Sequence, residues 1–129
     1  MKVDELTSQL MEEIEPDLLD FIRTKVTSFI KWDLIRFLCK NPNTADTAER
    51  LARFAGRSPD AVRPELEEMV QQGLLEVRII AGIPIYSLSR DKEMRMMVEK
   101  FIKACEDRQF RVKVVYHIMR NLAETKEGS

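Results

Sequence analysis

The apolar residues of this chain change their period at Gly73, and that change limits the folds available to it. Ahead of Gly73, apolar side chains recur at the spacing of three and four residues that marks one face of a helix. Beyond it, residues 74–80 and 83–88 are rich in β-branched side chains and are separated by Ala81-Gly82, which predicts a β-hairpin. We therefore expect a two-stranded hairpin directly behind a helical region.

Helical spacing begins at Asp17 and continues to Asn41-Pro42, a pair that stops a helix. Residues 24–28 include poor helix formers, so the residues alone leave open whether one helix or two cover this stretch. If there are two, we expect Ser28 to cap the second one, which would span 29–40.

Two further helices are predicted before the hairpin. Thr44-Ala45-Asp46 offers capping oxygens for a short helix over 47–54, which Gly56 ends. Ser58-Pro59 opens the next helix, because serine caps it and a proline at the first helical position loses no hydrogen bond. This helix ends at Gly73, where glycine supplies the left-handed turn into the first strand.

Three helices, the third ended by glycine, and then a hairpin form the order of a winged helix-turn-helix. The segment 48–76 resembles the winged-helix regulators of the ArsR-like and MarR-like kind, in which a helix with Leu-Ala at its centre precedes a serine-capped helix that runs into a Gly-Leu-Leu sequence. The matching residues are Leu51, Ala52, Ser58, Val62, Leu66, Met69, Gly73, Leu74 and Leu75. The resemblance covers about residues 29–89 and implies a mostly α fold with a small β-hairpin wing.

The resemblance also implies duplex DNA as a partner and regulation of transcription as the role. In the expected docking, helix 59–72 enters the major groove and the hairpin 75–89 follows the backbone. Arg63 is the residue on that helix able to bond a guanine edge with two hydrogen bonds. The residues expected to contact DNA are Arg50, Arg53, Arg57, Ser58, Arg63 and Arg78.

A second function remains open because of charge. The helix 59–72 carries Asp60, Glu65, Glu67 and Glu68 against a single arginine, whereas DNA-binding helices usually gain affinity by neutralising phosphates. A winged helix with such an acidic third helix is suited to a basic protein partner. For Arg63 itself, the alternative to a base contact is an ion pair with Glu67, four residues along the same helix.

The C-terminal third carries a heptad seam. Behind Asp91, a candidate cap, the seam residues follow one another at alternating spacings of four and three. One continuous helix and two helices broken near 106–109 are both compatible with it. We expect the seam to form a homodimer interface, although packing against the N-terminal helix of the same chain is the alternative. Its members besides Arg108 are Met94, Val98, Phe101, Cys105, Val112, Val115, Met119 and Leu122.

The chain of 129 residues is long enough for one domain with added helices. We expect an acidic N-terminal arm and helix over 1–28, a winged-helix domain over 29–89 and a dimerisation segment over 90–129. Seven of the 22 acidic residues but only one of the 21 basic residues lie in the first 20 positions. The rest of the chain is therefore net positive, as in many nucleic-acid-binding proteins.

Other classes of protein find no support in the sequence. It holds no glycine-rich phosphate loop, no zinc-protease motif and no serine or cysteine with an identifiable base, so no enzyme is predicted. Cys39, Cys105 and His117 do not pair at metal-ligand spacing, so neither a metal nor a cofactor is predicted. No apolar run suits a membrane span and no signal peptide is recognisable, and we expect a cytoplasmic location.

Overall fold

The structure, a computed structural model, describes residues 14–127, with side chains up to residue 124. Of the arm predicted for 1–28, residues 1–13 therefore lie outside the described residues. The described helices are α1 Pro16–Lys25, α2 Phe29–Lys40, α3 Ala48–Ala55, α4 Pro59–Gln71, α5 Lys92–Ala104 and α6 Arg108–Glu127. The strands are β1 Ala45–Asp46, β2 Leu75–Ile80 and β3 Ile83–Leu88.

The helix starts predicted at Ser28, Ser58 and Asp91 are confirmed by their caps. Helix α3 is capped by Thr47, whose Oγ1 accepts a hydrogen bond from the Arg50 amide at 3.2 Å, and not by residues 44–46, because Ala45 and Asp46 form strand β1. Ser28 begins α2, so α1 and α2 are separate helices, and its Oγ accepts a hydrogen bond from the Lys31 amide at 3.1 Å. Ser58 caps α4 in the same way, accepting from the Ala61 amide at 3.3 Å. Asp91 caps α5. These caps satisfy amides that have no partner within their own helix, so each fixes the residue at which a helix can begin.

The hairpin forms as predicted, and a third strand joins it. The pairing runs from Leu75 opposite Leu88 to Ile80 opposite Ile83, and both turn residues between the strands have positive φ. The short strand β1 pairs with β3, which gives the sheet order β1-β3-β2. Pro84 lies beyond the part of β3 that β1 covers, so the edge expected beside it is present. Helices α2 to α4 with this sheet form a winged helix, as the sequence predicts.

The C-terminal seam is divided between two helices. Residues 105–107 form a turn between α5 and α6, which decides between the two arrangements that the sequence left open. Helix α5 packs on the body of the domain, where Val98 and Phe101 are fully buried. The Phe101 ring lies 5.3 Å from the ring of Phe21, 6.4 Å from that of Trp32 and 5.9 Å from that of Phe110, measured between centroids. One aromatic cluster thus joins α1, α2, α5 and α6.

A buried lysine joins α2 to α4. The side chain of Lys31 is only 1% exposed. Its Nζ donates to Thr27 Oγ1 at 2.6 Å and to a carboxylate oxygen of Glu68, and it lies 3.4 Å from Glu65 Oε2. Two of the four acids of α4 are therefore turned towards the body of the domain, where they compensate the charge of a buried ammonium group.

His117 is half-buried on α6, and its Nε2 atom has no hydrogen-bond partner among the described residues. Burial lowers the pKa of His117 below its ordinary value, and the positive charges of Arg23 and Arg120 lower it further, against a small opposing effect of Glu124. Because this is the single histidine of the chain, titration near neutral pH reports on the packing of α6.

We predict that Lys31→Met lowers the free energy of unfolding by about 1.5–3 kcal/mol, since methionine fills the space but provides none of the charged hydrogen bonds. The measurement is urea denaturation followed by circular dichroism. Lys92→Met, at an exposed position of α5, is the matched control and should change the free energy by less than about 0.5 kcal/mol. Equal stability of the two variants would contradict the role assigned to Lys31.

We predict that the protein loses stability as the pH falls from about 6.5 to about 5. The folded-state pKa of His117 is depressed, so the unfolded chain binds the proton first and protonation favours unfolding. Urea denaturation at several pH values measures this, and His117→Leu should remove the dependence in that window. A parent protein whose stability is constant or increases over the same range would disprove the assignment.

Candidate nucleic-acid interface

The outward face of α4 is acidic. Arg63 Nη1 donates to Asp60 at 2.7 Å, and its Nη2 donates to Glu49 of α3 at 2.5 Å. The hydrogen bond to Glu49 raises the pKa of Arg63 and lowers that of Glu49. Glu67, the partner considered from sequence, has no ion-pair partner within the described range. A guanine contact by Arg63 would thus require two ion pairs to break, and the face stays negative.

Three more of the residues predicted to contact DNA already make interactions within the chain. Arg50 Nε lies 2.8 Å from Asp46, and Arg57 Nη2 lies 2.9 Å from Asp33. The hydroxyl of Ser58 serves as the cap of α4. All three side chains are on the surface, and each has a local role that competes with binding to a phosphate.

The last two residues predicted to contact DNA make no side-chain interaction within the described residues. Arg53 on α3 and Arg78 on β2 are exposed, and neither has a side-chain partner in the part of the chain that the structure describes. Of the six residues predicted from sequence, these two can meet a phosphate without breaking an existing interaction.

Arg78 lies in a groove with two arginines that the sequence analysis did not select. Arg78, Arg90 and Arg95 line this wing-base groove of about 240 Å³, and Glu76 is the single carboxylate among its described lining residues. The other lining residues are Pro42, Asn43, Thr44, Ala45, Ser87 and Leu88. Three guanidinium groups against one carboxylate leave an excess of positive charge in a concave site, which suits a phosphate group.

Two of the arginines in the wing-base groove make interactions within the chain. Arg90 Nε lies 3.2 Å from Glu76, and Arg95 Nε donates to the carbonyl oxygen of Ser89 at 2.7 Å. The backbone amide of Arg90 lowers the pKa of Glu76, and the charges of Arg90 and Arg95 lower it further. Glu76 therefore remains ionised and orients one arginine without neutralising the groove.

The register of the hairpin explains why Glu76 and Arg78 lie together in this groove. Residues 76 and 78 alternate onto one face of β2, and Ser87 and Ile85 lie opposite them on β3. Arg90 lies beyond the paired residues, and it joins them because its backbone amide and its Nε both donate to the Glu76 carboxylate, each at 3.2 Å. The position of Arg90 therefore depends on the path of the chain after β3, and that of Arg95 depends on how α5 packs.

The predicted dimer seam is divided in the structure. Val98 and Phe101 are buried in their own chain, so their apolar character is accounted for by packing within the chain, and Met94 and Cys105 are half-buried. On α6, Val112, Met119 and Leu122 are exposed large apolar side chains, and Val115 beside them is half-buried. Only the α6 half of the seam offers an apolar stripe to a second chain.

The two cysteines lie in environments that disfavour thiolates. Burial raises the pKa of the Cys39 thiol, and it raises that of Cys105 to about 11. Among the described residues, no three histidine, cysteine, aspartate or glutamate side chains are grouped so that they would hold a metal ion. None of the described helices has the length and hydropathy that a transmembrane helix requires.

Comparisons with known proteins add a likeness to two solved structures. No protein-family model and no curated protein matches the chain. Sso10a-2, a DNA-binding protein from Sulfolobus solfataricus, is 22% identical with a TM-score of 0.44, over 74% of this chain and 87% of that one. A possible transcriptional regulator from Methanosarcina mazei Go1 is 13% identical with a TM-score of 0.42, over 84% of this chain and 82% of that one. Values this low carry no conclusion about what this protein binds.

Proposed function

We propose that this protein is a winged-helix DNA-binding protein, and a transcriptional regulator, that holds the phosphate backbone with its wing-base groove. The observation that carries the proposal is the convergence of Arg78, Arg90 and Arg95 around a single carboxylate. Neutralising phosphates provides most of the affinity of a protein for DNA of any sequence. Guanidinium groups also match phosphate geometry with paired hydrogen bonds.

The proposal changes the docking that the resemblance to ArsR-like and MarR-like regulators implies. Asp60 and Glu67 on α4 and Glu49 on α3 would repel phosphates if α4 entered the major groove. We assign the phosphate contacts to the wing-base groove and to Arg53, which has no side-chain partner within the described residues. Such a contact set provides little direct reading of bases, so binding is expected to depend strongly on salt and weakly on sequence.

We further propose that the protein acts as a homodimer formed through α6. The exposed apolar stripe of Val112, Val115, Met119 and Leu122 continues at heptad spacing over the outer face of this helix. Exposed apolar side chains grouped in this way favour association with a second surface. A dimer would carry two wing-base grooves, and two weak phosphate contacts would reinforce each other.

We predict that Arg78→Ala combined with Arg90→Ala weakens binding to a labelled random duplex at least about tenfold at low salt, because two phosphate contacts are lost. Fluorescence anisotropy over a range of sodium chloride concentrations measures this. The slope of log affinity against log salt should fall by about 1.8. Arg63→Ala is the matched control and should retain affinity within about twofold.

Two outcomes of this experiment would contradict the proposal. If the parent protein does not bind the duplex at low salt, the DNA-binding function is wrong. If Arg63→Ala loses affinity and the double variant does not, α4 and not the wing-base groove holds the DNA.

We predict that Met119→Glu makes the protein monomeric, since it places a charge in the centre of the α6 stripe. Light scattering coupled to gel filtration measures the mass. Met96→Glu, at an exposed methionine of α5 outside the stripe, is the control and should leave the dimer intact. A monomeric parent, or the same mass for both variants, would disprove the interface.

A further inference from the structure

We infer that the acidic face of α4 and the inner face of the wing together form a docking surface for a basic, amphipathic segment of a protein partner. This α4–wing surface consists of Glu49, Asp60, Arg63, Glu67, Val77, Ile79 and Tyr86. It uses the face of the hairpin opposite to Glu76 and Arg78, so it is separate from the wing-base groove and does not depend on the proposed function.

The inner face of the wing is apolar from the core to the tip. Val77 pairs with Tyr86 and Ile79 with Pro84, on the same side of the hairpin as the buried pair at its base. Val77 is 40% exposed and Ile79 is 65% exposed, and no charged side chain lies on this face of the two strands. A wing that lay against phosphates with this face would be expected to carry cations there.

Tyr86 provides a polar group that lacks a partner. The residue is only 7% exposed, yet its hydroxyl makes no hydrogen bond in the part of the chain that the structure describes. The charges of Glu67, Arg63 and Glu49 act on this phenol, which places it towards the acidic face of α4. The hydroxyl is not among the buried polar atoms that lack a partner, so it reaches the solvent at the edge of the core and is available to a bound molecule.

The charges around Tyr86 indicate which kind of molecule can bind to the α4–wing surface. Glu49, Asp60 and Glu67 face Arg63 alone, and Glu67 has no ion pair within the described range. A lysine or arginine of the partner would pair with Glu67 and reach the hydroxyl of Tyr86, whereas a phosphate would be repelled. Basic protein segments therefore fit this surface and nucleic acid does not.

The apolar part of the surface sets the form of the partner. The side chains of Val77 and Ile79 are two residues apart on one strand, a distance of about 6.6 Å. Side chains at positions i and i+4 of a helix are separated by about 6 Å along its axis. A helix with leucines at that spacing and arginines beside them would place apolar groups on the wing and charges on α4.

The experiment is an amide chemical-shift titration of the full-length protein by NMR. The probe is a synthetic peptide of about 14 residues, long enough for four helical turns, with leucine at positions i, i+4 and i+8 and arginine at the flanking positions. The control peptide carries glutamate in place of arginine. We expect the basic peptide to shift the amides of Glu67, Val77 and Tyr86, and the acidic peptide to leave them unchanged.

Variants test the named groups. Glu67→Gln and Tyr86→Phe should each weaken peptide binding at least about fivefold, because each removes one polar contact with a charged group. Glu106→Gln, an exposed acid in the turn before α6, is the matched control and should bind as the parent does. The inference is overturned if about 2 mM basic peptide shifts none of these amides, if both peptides act alike, or if neither variant weakens binding.

Failure of this inference and failure of the proposed function are distinguishable. The two variants should bind the random duplex with the affinity of the parent, because the wing-base groove is intact. Loss of DNA affinity in Tyr86→Phe would make this surface a DNA site and would overturn the inference. Peptide binding by a protein that does not bind DNA would leave the inference standing and the proposed function refuted.

Discussion

The charge that this winged helix shows to its surroundings depends on the buried ammonium group of Lys31. An unpaired ammonium group at that depth would be strongly destabilising, so the acids of α4 that reach it are held against α2. Glu65 and Glu68 are used in this way, and together with the buried Val62, Leu66 and Met69 they define the inward side of α4, so Asp60 and Glu67 lie on the outside. Arg63 then lies between two carboxylates and is no longer free to read a base.

The two faces of the wing differ in charge and polarity. Alternate residues of a strand lie on opposite faces, so the sequence Glu-Val-Arg-Ile divides into a charged outer face and an apolar inner face. Arg78 on the outer face lines the wing-base groove with Arg90 and Arg95, where we propose that phosphate binds. The inner face lies beside the acids of α4, and it is the surface that we infer for a basic, amphipathic partner. One hairpin thus provides two surfaces of opposite chemistry, which is why we assign them to different partners.

Local rules made most of the fold predictable from sequence, because a serine cap, a glycine end or a hairpin turn is decided by neighbouring residues. Strand β1 was missed because two residues make a strand only when a partner strand lies beside them. The sequence likewise left the break at 105–107 open, since the heptad spacing continues across it. The site was predicted less well. Arg53 and Arg78, both predicted from sequence, have no ion-pair partner among the described residues. Arg57 and Arg63 pair with Asp33 and Glu49, which are 24 and 14 residues away in sequence. Asp46, the partner of Arg50, is only four residues away, but helical spacing alone does not decide whether such a pair forms. Arg90 and Arg95 join the groove only through tertiary packing.

The most direct test of the account is to map the DNA contact on the protein by NMR, with a short duplex added to the labelled full-length chain. The account predicts shifts for Arg78, Arg90 and Arg95 and for Asn43 and Thr44 across the wing-base groove, with the amides of Asp60, Arg63 and Glu67 unchanged. Shifts concentrated on α4, with the wing-base groove unaffected, would contradict it and would restore the docking in which α4 occupies the major groove.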